Sequence, residues 1–317
     1  MTESPVGVSI VIPTRNRKEQ LSGCLRALSR LKPPARGFEV IVVDDGSDHP
    51  LGGSVAKVAD GLEVRIHRQA NMGPGAARNA GAADARGELL AFLDDDVQVA
   101  PDWLSAMEEA HCNMLTAALG GRVDPRVGTG RAAEVSELIV DLASERREQP
   151  ANPRFLPSSN LVVPARDFRL LGGFDERFLF AEDRELCRRW RASGRPLMYV
   201  DRARCHHAKT LSTRRFARQH FGYGSGAFDF WRTRPDPGGL REAIEPDFYR
   251  RVVAEVGRAL RLGSVARAGL LVLWQLANAA GYASAAVRSA WRRADARLPG
   301  ETPGATSAGP ESTGTRT

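Results

Sequence analysis

The sequence predicts an α/β fold: a Rossmann-like, mainly parallel sheet flanked by helices, with a helical extension towards the C-terminus. Three observations predict it. Short apolar runs alternate with helix-period patterns through the first hundred residues, which is the β-α-β-α order of a parallel sheet. The runs are continuously apolar, as strands buried on both faces are. Two of them end abruptly in carboxylates, EVIVVDDGS (Glu39 to Ser47) and LLAFLDDD (Leu89 to Asp96).

The elements follow in order. VSIVIP (Val8 to Pro13) reads as a strand, and RKEQLSGCLRALSRL as an amphipathic helix with Leu21, Leu25 and Leu28 on one face. The second strand runs into Asp44 and Asp45. A helical pattern around Leu51 to Ala59 leads to a third strand, EVRIH. GPGAARNAGAADA (Gly73 to Ala85) reads as a small-residue helix, and ELLAFLDDD as the fourth strand. PDWLSAMEEAH is a helix with Pro101 in its first turn. GGRVDP is a strand or turn, and SSNLVVP (Ser158 to Pro164) a short strand. EDRELCRRWRASG is a helix stopped by Gly194, and LMYVDRARCHH a strand and loop. Thr210 to Arg232 reads as a flexible, glycine-rich lid, and Ile244 to Trp291 as one long helical segment. The tail from Pro299 lacks the apolar content to fold. This gives a domain over 1–232 with halves meeting near residue 100, a helical extension over 233–296 and a disordered tail over 297–317.

The chain has 317 residues and a net charge of +7, with arginine far outnumbering lysine. That basicity favours an anionic partner. Cys24, Cys112, Cys187 and Cys205 form no CxxC pair, and the opening MTESPVGVSIVIP carries no secretory signal, so a reducing, cytoplasmic location is expected.

In an open parallel sheet, ligands bind beyond the carboxyl ends of the strands. Asp44 and Asp45 end one apolar strand, and Asp94, Asp95 and Asp96 end another. Asp-Asp-Gly-Ser alone could be a turn. Two such clusters after buried strands point instead to a shared ligand. Three consecutive acids repel one another unless a cation offsets them, and oxygen donors suit Mg²⁺ or Mn²⁺ bridging to phosphates.

SIVIPTRNRKEQL, VIVVDDGS, NMGPGAARNAG and LLAFLDDD, in this order, resemble the family 2 nucleotide-sugar glycosyltransferases of GT-A fold, over about Val8 to Gly226. The resemblance implies an inverting transfer from a nucleoside-diphosphate sugar with Mg²⁺ or Mn²⁺. A UDP-sugar comes first, with dTDP- or GDP-sugars open. The acceptor would be a glycan, a lipid-linked or a small molecule. It puts Pro13, Thr14 and Arg15 at the donor, and makes Asp45, with or without Asp44, the acceptor for a base imide N–H. It maps the DxD motif onto Asp94 and Asp96, with Asp95 kept because the register is open by one residue. Arg78 would reach towards the nucleotide, although its helix also reads as plain packing against the sheet.

In GGFDERFLFAEDRELCRRW the resemblance makes Asp183, beside Glu182, the base that takes the acceptor proton. An Asp at a helix start also reads as an N-cap, which would lower its pKa. Gly173 and Asn160 would lie on the acceptor side. One histidine, His206 ahead of His207, would complete the metal site. Arg214 and Arg215 would close over the diphosphate from the lid. A nucleic-acid surface fits the basic, aromatic stretch less well, so no nucleic-acid partner is expected.

Residues 268–287 (AGLLVLWQLANAAGYASAAV) carry no charge. Packing on the domain or at a homodimer contact comes first, then peripheral attachment to the inner face of the cell membrane, then a true span. Two other functions stay open: a same-fold nucleotidyltransferase, whose signature loop PTRNRKEQL does not match, and a non-catalytic basic binding protein.

Overall fold

A computed structural model describes residues 6–32, 36–51, 55, 61–125, 130–145, 147–208, 210–233 and 246–295. The helix read around Leu51 to Ala59 and the tail over 297–317 lie outside these, apart from Leu51 and Val55. β1 (Val8–Thr14), β2 (Phe38–Asp45), β3 (Val64–Gln69) and β4 (Leu89–Leu93) form the parallel half of an eight-stranded sheet, in the order β3-β2-β1-β4. The other half continues as β7 (Asn160–Pro164), β6 (Ala118–Pro125), β8 (Leu197–His207) and the short edge strand β5 (Val97–Val99). β7 is antiparallel to both β4 and β6, β6 is parallel to β8, and β5 is antiparallel to β8.

Alternate side chains of the parallel strands enter two different cores, which is why their sequences are apolar throughout. Val8, Ile10 and Ile12 of β1 meet α1 (Lys18–Leu28) and α3 (Trp103–Asn113) on one face. Val11, Ile41, Val43 and Phe92 meet α2 (Pro74–Ala83), α5 (Ala165–Leu170) and α6 (Glu182–Ala192) on the other. The small residues of α2 serve this contact: a Cβ on Gly81 would stand 2.4 Å from Val11. In register, Thr14 lies beside Asp44 and Asp45 beside Gln69. The strand-end acids therefore leave the sheet at one level.

α4 (Arg131–Ser144) has no counterpart among the elements expected above. It shares a third core with α7 (Thr213–Arg232), α8 (Pro246–Arg261) and α9 (Val265–Asp295), built on Ile139, Phe216, Phe248, Leu271 and Trp274. Two expectations are corrected here. The stretch expected as a glycine-rich lid, Thr210 to Arg232, instead forms the helix α7 from Thr213 onward. Each interior glycine costs a helix roughly 1 kcal/mol, and here each permits a close approach. A Cβ on Gly222 or Gly226 would strike Phe180, one on Gly224 would stand 1.9 Å from the Asn278 carbonyl oxygen, and one on Gly281 would stand 1.9 Å from that of Phe221. The single helix expected over Ile244 to Trp291 is two, α8 and α9, turned at Gly263 with φ of 69°.

Gly281→Ala gains intrinsic helix propensity, yet its methyl group has no room between α9 and α7. It should lower stability by about 1–3 kcal/mol, the usual cost of overpacking, as read from urea unfolding. Gly269→Ala, at an open position of the same helix, should leave stability unchanged or raise it.

Candidate active site

Beyond the strand ends lies one cavity of about 1120 Å³. Pro13, Thr14, Arg15, Asp45, Arg78, Asp94, Asp95, Glu182 and Asp183 all line it. Asp45 enters from the end of β2 and is held by an unusually full set of donors. Its Oδ1 accepts from Gln69 Nε2 (2.9 Å) and Met72 N (2.8 Å), and its Oδ2 from Gly73 N (3.0 Å). With the Asn71 amide turned so that both its ends are satisfied, its nitrogen meets Asp45 Oδ2 at 3.0 Å and its oxygen meets Arg15 Nη1 at 2.8 Å. Asp44 is buried out of the cavity. It accepts from Ser47 N (2.9 Å) and faces Arg68 (3.7 Å), closing the β2 turn.

The acids after β4 divide between two arginines. Arg17 bridges Asp95 and Asp96, while Thr14 Oγ1 donates to Asp95 Oδ2 at 2.7 Å. Burial pushes the Asp95 carboxyl up to about 7, against the pull of Arg17 and with the push of Asp96. Arg78 is buried. Its Nη2 donates to Asp94 Oδ1 (2.8 Å), its Nη1 to Glu182 Oε1 (2.9 Å), and its guanidinium lies 5.6 Å from the Phe174 ring centroid. It thus ties the end of β4 to the start of α6.

Asp183 follows Glu182 in the first turn of α6. The N-cap position belongs to Ala181, in a left-handed conformation (φ 68°) with no side-chain cap. Asp183 Oδ1 accepts from Arg184 N at 2.7 Å. Burial raises the pKa of both Glu182 and Asp183; the Asp183 charge adds to the penalty on Glu182, while Arg184 and Arg78 pull against the rise at Asp183. Asp183 is therefore no pKa-lowered cap but a carboxylate whose basicity is increased.

Asp94, Asp96 and His207 form the metal-binding candidate: one ligand atom from each lies within 4.8 Å of the others. His207 Nδ1 meets Glu137 Oε1 of α4 at 2.6 Å, and Nε2 lies 3.9 Å from Asp96 Oδ1. Donating Nδ1–H to a carboxylate leaves the Nε2 lone pair facing the acids, the arrangement common behind metal-bound imidazoles. Two carboxylates and an imidazole fit Mn²⁺, and also Mg²⁺ with less preference for the nitrogen.

The far wall is aromatic and basic. Tyr223, Phe230 and Trp231 of α7 and Trp274 and Tyr282 of α9 line the same cavity as Asp183. Arg184, Arg188 and Arg191 line it from α6, at the i, i+4, i+7 spacing of one helix face, and Arg184 stacks on Phe155 at 4.5 Å.

Residues 9–169 match Glycosyl transferase family 2. The chain belongs to that family. It is 33% identical over 236 residues to the pre-mycofactocin glycosyltransferase of Mycobacterium tuberculosis, covering 72% of this chain and 48% of that protein. It is 32% identical over 259 residues to the validoxylamine A glucosyltransferase of Streptomyces hygroscopicus, covering 67% and 61%. The chain thus spans only about half to three-fifths of the length of these relatives. Among solved structures, the mannosyltransferase PcManGT from Pyrobaculum calidifontis, in complex with GDP-Man and Mn²⁺, superposes with a TM-score of 0.59 at 18% identity, over 92% of this chain and 81% of that one. S. aureus TarS 1-349 gives 0.52 at 18%, over 91% and 92%. These likenesses show the GT-A fold.

Five expected positions besides Asp44 lie off the cavity. His206 is not the histidine of the acidic cluster: β8 alternates, and it is His207 that points inward with Ala203 and Cys205. Asn160 is buried away from the cavity, accepting from Trp103 Nε1 (2.8 Å) and bracing β7 against β6 and β8. Gly173 makes a left-handed turn (φ 68°) where a Cβ would stand 2.6 Å from Asn79 Oδ1. Arg214 and Arg215 are exposed on the first turn of α7 and do not line the cavity. Glu182 is the ion-pair partner of Arg78. Arg17 and Glu137, which no motif singled out, belong to the site.

His207→Ala should weaken Mn²⁺ binding by at least about tenfold and Glu137→Gln by about tenfold, while His206→Ala leaves it unchanged. Titration with Mn²⁺ followed by electron paramagnetic resonance reads all three.

Proposed function

We propose that this chain is an inverting glycosyltransferase that moves a sugar from a nucleoside-diphosphate sugar to an acceptor hydroxyl. The observation that carries this reading is that Asp45, Asp94 and Asp183, from distant parts of the sequence, line one cavity. Asp183 takes the hydroxyl proton. The acceptor oxygen bonds to the anomeric carbon as the opposite bond to diphosphate breaks, and its electron pair leaves with the nucleoside diphosphate. Bound Mg²⁺ or Mn²⁺, held by Asp94, Asp96 and His207, would supply positive charge for that leaving group. Arg15 and Arg17 line the donor side and add fixed positive charge.

Asp45, with the Gln69 and Asn71 amides around it, reads the base, and a UDP-sugar is the first choice over dTDP- and GDP-sugars. On the acceptor side, the aromatic wall and the arginine face of α6 favour a molecule with an apolar or ring face and an anionic group. Activity on the cytoplasmic side follows the cysteine pattern.

A panel of UDP-, dTDP- and GDP-sugars, scored by nucleoside diphosphate release with and without Mn²⁺, tests the reading. A panel without any metal-dependent release would sink it. Asp183→Asn should keep donor affinity and lower kcat by about 10²–10⁴, the usual contribution of a general base. The base works ionised and burial raises its pKa, so kcat should rise with pH. The acid limb should lie above the ordinary carboxylate range. Glu182, Arg78 and Arg184 are its charged neighbours in that titration.

A further inference from the structure

α9 has two faces of different kinds. Leu271, Trp274, Gly281 and Ala285 face the protein and are buried. On the other side Val265, Val272, Leu276, Val287 and Trp291 are each at least 52% exposed. At 100° per residue these five fall in a stripe about 100° wide, and Gly269, Ala280 and Ala283 fill the gaps between them. The stripe runs the length of a 31-residue helix, about 46 Å. Leu260 and Leu262, at the turn from α8, extend the exposed apolar surface. So long an apolar surface on one helix is larger than scattered exposed residues account for.

The charge around the stripe is mainly positive, with Glu255 and Asp295 bounding the run. From residue 256 to 294 there are six arginines (Arg258, Arg261, Arg267, Arg288, Arg292 and Arg293) and no acid. Arg258 and Arg267 share Glu255 at 3.5 Å each. Among the described residues, Arg261, Arg288, Arg292 and Arg293 meet no carboxylate. We propose that the exposed face of α9 docks on an anionic lipid bilayer, lying in the plane of its surface.

Three features select this occupant. An apolar face between cationic ends is the pattern of a helix held at an anionic interface, with the apolar side chains in the acyl boundary and the arginines at the headgroups. A second copy of the chain fits worse: either orientation of stripe on stripe would bring together ends where arginines outnumber acids. A span across the bilayer would strip Trp274, Gln275, Asn278 and Tyr282 from the cavity they line, although α9 is long and apolar enough to cross. Lying flat leaves α7 and the cavity intact.

The test is sedimentation of the full-length chain with vesicles of phosphatidylcholine, or of an equimolar mixture with phosphatidylglycerol. Binding is expected to the mixed vesicles, at least about tenfold stronger than to neutral ones, and to be released by high salt. Tryptophan emission should shift to the blue, and Trp291→Phe should remove most of that shift while binding persists. Val272→Glu with Leu276→Glu should lower binding at least tenfold with an unchanged melting temperature. Should that pair fail to fold, Arg292→Glu with Arg293→Glu carries the same expectation.

Lack of binding to the mixed vesicles overturns the proposal, as does equal binding by the folded variants. A dimer seen by light scattering that the glutamates dissociate, without vesicle binding, would assign the stripe to a second copy. Resistance to alkaline carbonate extraction from membranes would make α9 a span.

Discussion

One guanidinium holds the two halves of the site together. Arg78, on a helix packed against the parallel strands, donates to Asp94 at the end of β4 and to Glu182 at the start of α6. Both acids would be costly to leave alone: Glu182 is buried, and Asp94 sits beside two further carboxylates. Removing water from an ion pair consumes much of its Coulombic gain, so the bridge contributes little net stability compared with apolar packing. What it supplies is position. With Glu182 fixed, the next residue, Asp183, has one place to go, and that place is the cavity bounded by the strand-end acids. A lysine would offer a rotating point charge in place of the planar fork that meets the two carboxylates along fixed directions.

The same logic orders the other acids. Arg17 spans Asp95 and Asp96, Gln69 and two backbone N–H groups hold Asp45, and Glu137 holds His207. Apart from Asp183, which accepts from the neighbouring Arg184 N, these side chains have their partners in distant parts of the chain. The geometry is therefore set by the packing of β1, β2, β4, α2, α4 and α6 rather than by any single loop. Preorganised charge of this kind is what group transfer to and from diphosphates requires, since little reorganisation is left for the reaction itself.

The parallel half of the fold was readable because its strands are buried on both faces: an apolar run followed by a turn has few other interpretations. The acids at their ends were readable for the same reason, being expensive anywhere but at a rim. Elsewhere the signal was weaker. α4 carries a helical period, but Glu137, which it buries, looks like any surface acid until His207 is found against it. The choice between His206 and His207 was available in the sequence, because Ala203 and Cys205 share one parity on β8 and His207 continues it. Glycines at 222, 224 and 226 argued for a flexible loop. They lie in a helix because what they permit, contact with Phe180 and with the backbone of α9, is made by residues far away in the sequence.

That contact bears on how the site is divided. The match to family 2 covers residues 9–169, which includes the strand-end acids and Arg78 but stops before Asp183 and the three C-terminal helices. The aromatic wall of the cavity comes from α7 and α9, which approach closely only because Gly224 and Gly281 have no side chains. Apolar surface buried between these helices must outweigh the flexibility cost of the glycines, and the third core supplies it through Phe216, Phe248, Leu271 and Trp274. One face of α9 is thereby committed to the cavity and its core, leaving the opposite face to whatever surrounds the protein. Packing that shapes the aromatic wall and packing that presents an apolar stripe outward are thus two consequences of one helix pair.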